Sequence, residues 1–339
     1  MNPVNGQENP QLNQGLGCVV IGRNEARRLS SCLKSVLSQC STCVYVDSGS
    51  RDDSVELARS MGVPIVELDT SDPFTAARAR NEGVRFLRAN ASLIEFVQFV
   101  DGDSEIVDGW MRAGVESLRR DEGLAIVFGG TRERSPEASL YNRLADVEWR
   151  VPIGEANACG GVSMMKISAF ESVGGFDQSL IAGEEPELCH RLRSTGLRIE
   201  HVEREMMVHD LDMTRFGQWW NRSKRSGYAV ARSAHKYRGT PGRYRSAELR
   251  RILVWGALVP VVSIGAALPS IGLSLILLLA YVRPILGSHR FARNRGAPAV
   301  DARLYAAWCT IGKFPECVGV FRYAIDRVFR RRARLIEHK

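Results

Sequence analysis

Two carboxylates one residue apart, Asp101 and Asp103, close the apolar run Phe96-Val97-Gln98-Phe99-Val100. Acids are unfavourable inside a buried strand, so a pair at its end marks a loop mouth. Separated only by Gly102, the two can share one hard divalent cation. Mg²⁺ typically takes one or two carboxylates and completes its shell with phosphate oxygens. Gly102 lets the backbone turn closely around a ligand. The same three residues also suit an ordinary surface turn. A second acidic group is Glu184-Glu185-Pro186-Glu187. It offers carboxylates for proton transfer, or simply opens a helix, because proline suits the first turn and acids complement its positive end. His209 supplies an imidazole, which serves either as a metal ligand or as a structural side chain. Asp47 ends another apolar run and either meets a ligand or caps the turn that follows. Cys40-Ser41-Thr42-Cys43 has Cys-x-x-Cys spacing but no second pair near it, and reads as structural.

These residues need elements to bring them together. Short apolar runs at Cys18–Ile21, Val44–Val46, Pro64–Leu68, Phe96–Val100 and Leu124–Phe128 predict strands. Between them, Leu29–Leu37, Ser54–Met61, Thr75–Arg88 and Trp110–Arg119 carry helical spacing. Strands alternating with helices imply βαβ units and a mostly parallel sheet, an α/β fold. Ligands in such sheets bind beyond the carboxyl ends of the strands, the edge on which Asp47 and Asp101 fall. A more irregular block follows. It holds Gly160-Gly161 before a strand at Val162–Met165, a turn at Gly174-Gly175-Phe176-Asp177, a helix from Glu184 to Arg193, and a strand at Met206–Val208.

The chain has 339 residues and a net charge of +8, and arginine dominates its last third. That bias suits anionic lipid headgroups. Zinc-finger spacing and aromatic RNA-recognition motifs are missing, so nucleic acid is not the expected partner. Eight scattered cysteines fit a reducing compartment. Residues 1–16 are polar, lack the apolar core of a signal peptide, and are expected to be a disordered lead-in.

From Ile252 the character changes. Ile252–Leu268 and Ile271–Val282 are apolar, with Pro269-Ser270 between them. One membrane span needs ~20 residues, so the stretch is long for one helix and short for two. Arginines on both flanks keep both ends cytoplasmic under the positive-inside rule. A hairpin of two short helices, or a re-entrant pair, fits best; a buried soluble hairpin is the alternative. Tyr305–Phe329, broken at Pro315, reads as an interfacial amphipathic segment. Phe216-Gly217-Gln218-Trp219-Trp220-Asn221-Arg222 is an aromatic, basic helix. It suits a membrane surface, a cover for a second substrate, or ordinary packing.

Taken in order, the motifs resemble those of family 2 glycosyltransferases with a GT-A fold. Arg23-Asn24-Glu25 follows the first strand, Asp47-Ser48-Gly49-Ser50-Arg51-Asp52 the second, and Ala79-Arg80-Asn81 lies on the next helix. Asp101-Gly102-Asp103, the two glycine pairs and Glu184-Glu185 complete the set. The resemblance runs from about Cys18 to about His209. It implies that Asp103 holds Mg²⁺ or Mn²⁺, with Asp101 on the metal or the ribose and His209 completing the metal shell. It implies further that Asp47 accepts from the base ring of a uracil nucleotide, that Asn24 and Glu25 lie near the base, and that Arg80 reaches the diphosphate. Charges on helices are also commonly just solvated, and Arg80 can be read that way. The family's base, the second acid of a Glu-Asp pair, maps to Glu185. Glutamate stands here for aspartate, which leaves Glu184 and Glu185 both open as the base.

The expected activity is metal-dependent, inverting transfer from a nucleotide sugar to a lipid-linked or polysaccharide acceptor, at the cytoplasmic face of a bacterial-type inner membrane. Arg222, Lys224 and Arg225 are candidates for holding a lipid-linked diphosphate. The expected organisation is a lead-in at 1–16, a transferase domain at 17–212, an interfacial helical region at 213–250, and a membrane-associated hairpin with basic helices at 251–339. Two competing functions are a nucleotidyltransferase and a non-catalytic membrane scaffold. The first lacks the Gly-rich loop its triphosphate needs, having only Gly22-Arg23-Asn24-Glu25. The second does not explain the intact acids.

Overall fold

The computed structural model describes residues 15–330 except 70, 73, 92 and 241. The expected lead-in lies outside them apart from its last two positions, and Leu16 already belongs to the first strand. Nine strands form one sheet: β1 (Leu16–Gly22), β2 (Cys43–Asp47), β3 (Ile65–Glu67), β4 (Phe96–Asp101), β5 (Ser104–Ile106), β6 (Leu124–Glu133), β7 (Gly154–Glu155), β8 (Ser163–Lys166) and β9 (Arg198–His209). The helices among them are α1 (Ala26–Leu37), α2 (Ser54–Ser60), α3 (Ala76–Asn90), α4 (Trp110–Arg120), α5 (Leu140–Glu148), α6 (Ile167–Ser172) and α7 (Glu184–Ser194). α1 buries Leu29, Cys32, Leu33 and Val36, the single stripe that its periodicity specifies. α3 starts where Thr75 accepts a hydrogen bond from the Arg78 N–H. β1 and β2 are buried almost throughout, which is why they read as unbroken apolar runs.

The strand order is β3-β2-β1-β4-β8-β6-β9-β5, with β7 on β9. β3, β2, β1 and β4 run parallel, as βαβ connections dictate. Beyond β4 the sheet is mixed, because β8 enters antiparallel to both β4 and β6. β8 is reached from β6 through α5, the short β7 and irregular chain, so no βαβ crossover fixes its direction. Register then aligns the site. Asp101 lies beside Ile21, Asp47 beside Gly22, and His209 beside Ser104.

The C-terminal helices are α8 (Phe216–Lys236), α9 (Ser246–Leu253), α10 (Val259–Gly265), α11 (Val282–Asn294), α12 (Ala299–Ile311) and α13 (Lys313–Val328). α8 crosses α13 at Gly227 and Gly319, where an added Cβ would collide with the backbone at Glu316 and Lys224. Trp219 is buried against Tyr141 and Trp308, so ordinary packing accounts for this part of the aromatic run. Arg222 is ion-paired with Glu148 at 2.9 Å. The expected break at Pro315 falls instead at Gly312, because Pro315 sits in the first turn of α13, where proline needs no N–H partner.

The apolar segment is an antiparallel helical hairpin. One arm runs through α9, a π-helical stretch at Val254–Leu258 and α10; the other runs through a 3₁₀ stretch at Leu273–Tyr281 into α11. The Ser274 hydroxyl donates to the Ser263 carbonyl at 2.7 Å, and the Tyr281 hydroxyl to the Trp255 carbonyl. Leu268 and Ile271 at the tip are 93% and 97% exposed. The stretch Leu273–Asn294 is long and apolar enough to cross a membrane by length and composition, and almost none of it is buried. The hairpin is therefore not buried against the rest of the described residues.

Candidate active site

The sheet edge brings together residues separated by about half the chain. Arg80 projects from α3 and is only 2% exposed. Its guanidinium donates to Asp101 Oδ1 at 2.8 Å and to Glu184 Oε1 at 2.9 Å, and lies 5.5 Å from the centre of the Phe176 ring. Asp101 and Glu184 thus flank one cation. The reading of Arg80 as a solvated helix charge is overturned: burial and two carboxylates hold it inside, and those carboxylates keep it firmly protonated despite desolvation. Gly161 closes over this pair. A Cβ there would lie 2.7 Å from Arg80 Nη2 and 2.9 Å from Asp101 Oδ2. Asn81, the next residue, grips the turn holding Phe176: its amide donates to the Phe176 carbonyl at 2.8 Å and accepts from the Phe176 N–H at 3.0 Å.

Asp103 is buried in the turn between β4 and β5. His209, the last residue of β9, places Nε2 3.4 Å from Asp103 Oδ1, and its ring rests against Trp149 with centroids 4.8 Å apart. Its other nitrogen, Nδ1, is buried without a hydrogen-bond partner among the described residues. A carboxylate beside an imidazole is a two-donor set suited to a divalent cation that draws its remaining ligands from phosphate oxygens. Asp103 and His209 fit that use. Asp101 faces Arg80 instead, and no cluster of three His, Cys, Asp or Glu side chains converges for a metal among the described residues.

The first two loops are stitched to each other. Asp47 is buried at the end of β2; Oδ2 accepts from the Gly49 and Ser50 N–H groups at 2.8 Å each, and Oδ1 from the hydroxyls of Tyr45 and Ser50. Its carboxylate therefore organises the following turn. Asn24 adopts a left-handed φ of 56°, which asparagine tolerates, and its side chain accepts from the Arg51 N–H at 2.8 Å. Glu25 is buried, with Arg28 at 2.7 Å. The Cys40 and Cys43 thiols are buried and free, in keeping with a structural role.

α7 carries the glutamates at its N-terminus, started by Gly183 with a φ of 75°. Glu184 is buried on Arg80, whereas Glu185 keeps partial access to solvent. Burial, then the neighbouring Glu184 charge, pushes the Glu185 carboxyl up to about 7, against the opposing pull of Arg80. Sequence reasoning missed what lies on the far side of α7. Glu187 is held by Arg191, Lys236 and the Tyr237 hydroxyl. Tyr244 donates to the Pro186 carbonyl at 2.8 Å and stacks on His190. Only a cluster of aromatic and basic residues between two helices hinted at this, with nothing to say where it folds back.

The arrangement is that of an α/β enzyme with acids on two sides of one sheet edge. Its fold matches a mannosyltransferase of Pyrobaculum calidifontis, solved with GDP-mannose and Mn²⁺, at a TM-score of 0.58 and 18% identity over 92% of this chain and 88% of that one. The sequence profile of glycosyl transferase family 2 matches residues 18–171, and that of the N-terminal domain of galactosyltransferase matches 141–215. The succinoglycan biosynthesis protein ExoA of Rhizobium meliloti is 30% identical over 241 residues, 67% of this chain and 71% of that protein. A pre-mycofactocin glycosyltransferase of Mycobacterium tuberculosis is 27% identical over 228 residues, 64% of this chain and 44% of that protein. The chain belongs to glycosyltransferase family 2. It spans between 30% and 71% of the length of the curated relatives it matches.

Proposed function

We propose that the chain transfers a sugar, with inversion, from a uridine diphosphate sugar to a lipid-linked or polysaccharide acceptor at a membrane surface. The observation that carries this is the buried Arg80 joining Asp101, on the donor side, to Glu184, beside the candidate base. Asp103 and His209 would hold Mg²⁺ or Mn²⁺, which supplies Lewis-acid charge for the departing diphosphate. Asp101, held by Arg80, is left for the ribose rather than the metal. Asp47, Asn24 and Glu25 form the base-side loop.

Glu185 is the better placed of the two glutamates for proton removal. Glu184 is occupied by Arg80, while Glu185 is partly accessible and poised near neutral pH, where a general base works best. The acceptor oxygen gives its proton to Glu185 and bonds to the anomeric carbon. The bond from that carbon to the diphosphate oxygen breaks, and the nucleoside diphosphate leaves. One displacement from the opposite face inverts the centre. The transferase unit is residues 17–212, followed by an interfacial helical region at 213–250 and a membrane-associated part at 251–339. The exposed apolar hairpin supports that division and a place on the inner face of a bacterial membrane, and the similarity to ExoA supports polysaccharide assembly.

The test is release of UDP from UDP-sugars by the purified chain with Mn²⁺. Asp103→Ala should abolish release, and normal turnover by that variant would remove the metal assignment.

A further inference from the structure

A cavity of about 700 Å³ opens between α8, α9 and α13. Leu249, Leu253 and Val320 form apolar wall. Three exposed arginines, Arg238, Arg243 and Arg327, also line it, and none is ion-paired to a carboxylate among the described residues. Burial, then the Arg327 and Arg238 charges, lower the pKa of the neighbouring His235. Unpaired guanidinium groups beside an apolar wall suit an amphiphile, because guanidinium matches phosphate in charge and geometry while the wall takes hydrocarbon. The volume lies within the ordinary range for a small-molecule site, roughly 300–1,000 Å³. α9, one wall of the cavity, continues directly into the exposed hairpin. A hairpin seated in a bilayer would hold the cavity near the headgroups.

We propose that this cavity is a discrete binding site for a phosphate-headed lipid, with the phosphate on Arg238, Arg243 and Arg327 and the chain against Leu249, Leu253 and Val320. It rests on the membrane-associated reading above and goes beyond it in naming a pocket. The segment joining α8 to α9 carries Arg238 and Arg243 on the cavity and Tyr237 and Tyr244 on α7. That segment therefore links the cavity to the helix that bears Glu184 and Glu185.

The experiment uses the full chain and monomeric short-chain lipids. Dihexanoyl phosphatidylglycerol should bind saturably in calorimetry and raise the melting temperature by mass action. Dihexanoyl phosphatidylcholine and inorganic phosphate should do so at least about tenfold more weakly, since one lacks net charge and the other a chain. The double variant Arg243→Gln/Arg327→Gln should lose at least about tenfold in affinity for the glycerol lipid. Ala324→Trp, at an exposed lining position, should block the cavity without touching the charges. Equal binding of both lipids, binding by phosphate alone, or unchanged affinity in both variants would overturn the pocket. Flotation with phosphatidylglycerol vesicles separates the two ideas. Both variants keep the hairpin and should still float, whereas failure of the unaltered chain to float would sink membrane docking and leave the short-chain binding result standing.

Discussion

Replacing Arg80 by methionine probes the site's central contact. The substitution keeps most of the side-chain length and leaves Glu184 buried with its charge uncompensated. Removing one partner of a buried ion pair costs about 3–5 kcal/mol. The Asp101 side chain is 32% exposed, so solvent screens it and most of the loss belongs to Glu184. For a cooperative unit of roughly 150–250 residues, each kcal/mol shifts the melting temperature by roughly 2–4 °C, so Arg80→Met should melt about 6–20 °C lower in calorimetry. Adding Glu184→Gln removes the stranded charge, and the double variant should recover most of the loss, because deleting both members of a buried pair is often close to neutral. Arg80 also holds the Glu185 carboxyl down against burial. Without it that group should titrate above about 7, moving the acid limb of the pH–rate profile upward. A melting point for Arg80→Met within about 2 °C of the unaltered protein, under 1 kcal/mol on the same scale, would refute the reasoning.

Two further outcomes follow from the same geometry. Glu185 ionises near pH 7 when folded and near 4.5 when free, so between these values the folded state holds the extra proton and stability falls as pH rises. Glu185→Gln should therefore be more stable than the unaltered protein at pH 8, by roughly 1–3 kcal/mol after allowing for its partial exposure. Urea midpoints at pH 8 and pH 5 measure this, and a larger gain at pH 5 would contradict the sign. Leu268→Asp with Ile271→Asp places charge at the hairpin tip and should abolish vesicle flotation without altering the melting temperature, since both side chains are exposed. Undiminished flotation would show that the tip does not enter lipid.

Much of this site is written in local pattern. Apolar runs ending in an acid place Asp47 and Asp101 at the carboxyl edge of the sheet, because alternating strands and helices force parallel pairing there. The expected strand at Cys18–Ile21 is the centre of the observed Leu16–Gly22. Two things were not legible. The first is direction beyond β4, since β8 is joined through irregular chain whose path has no periodicity. The second is partnership. Whether Arg80 faces solvent or Glu184 depends on α3 and α7 meeting over 104 residues of separation, which no local signal encodes. The same holds for Tyr244, which returns to α7 across 58 residues. Spacing also could not separate Asp101 from Asp103. The fold does, by turning one to Arg80 and the other to His209.

The most direct measurement titrates a UDP-sugar with Mn²⁺ into the unaltered chain, Asp103→Ala and Glu185→Gln, with turnover measured on the same samples. If Asp103 serves the donor and Glu185 the incoming hydroxyl, Asp103→Ala should lose donor binding. Glu185→Gln should keep donor affinity within about threefold while turnover falls at least about a hundredfold, as expected for loss of a general base. Full turnover by Glu185→Gln, or donor affinity untouched by Asp103→Ala, would contradict the division of labour.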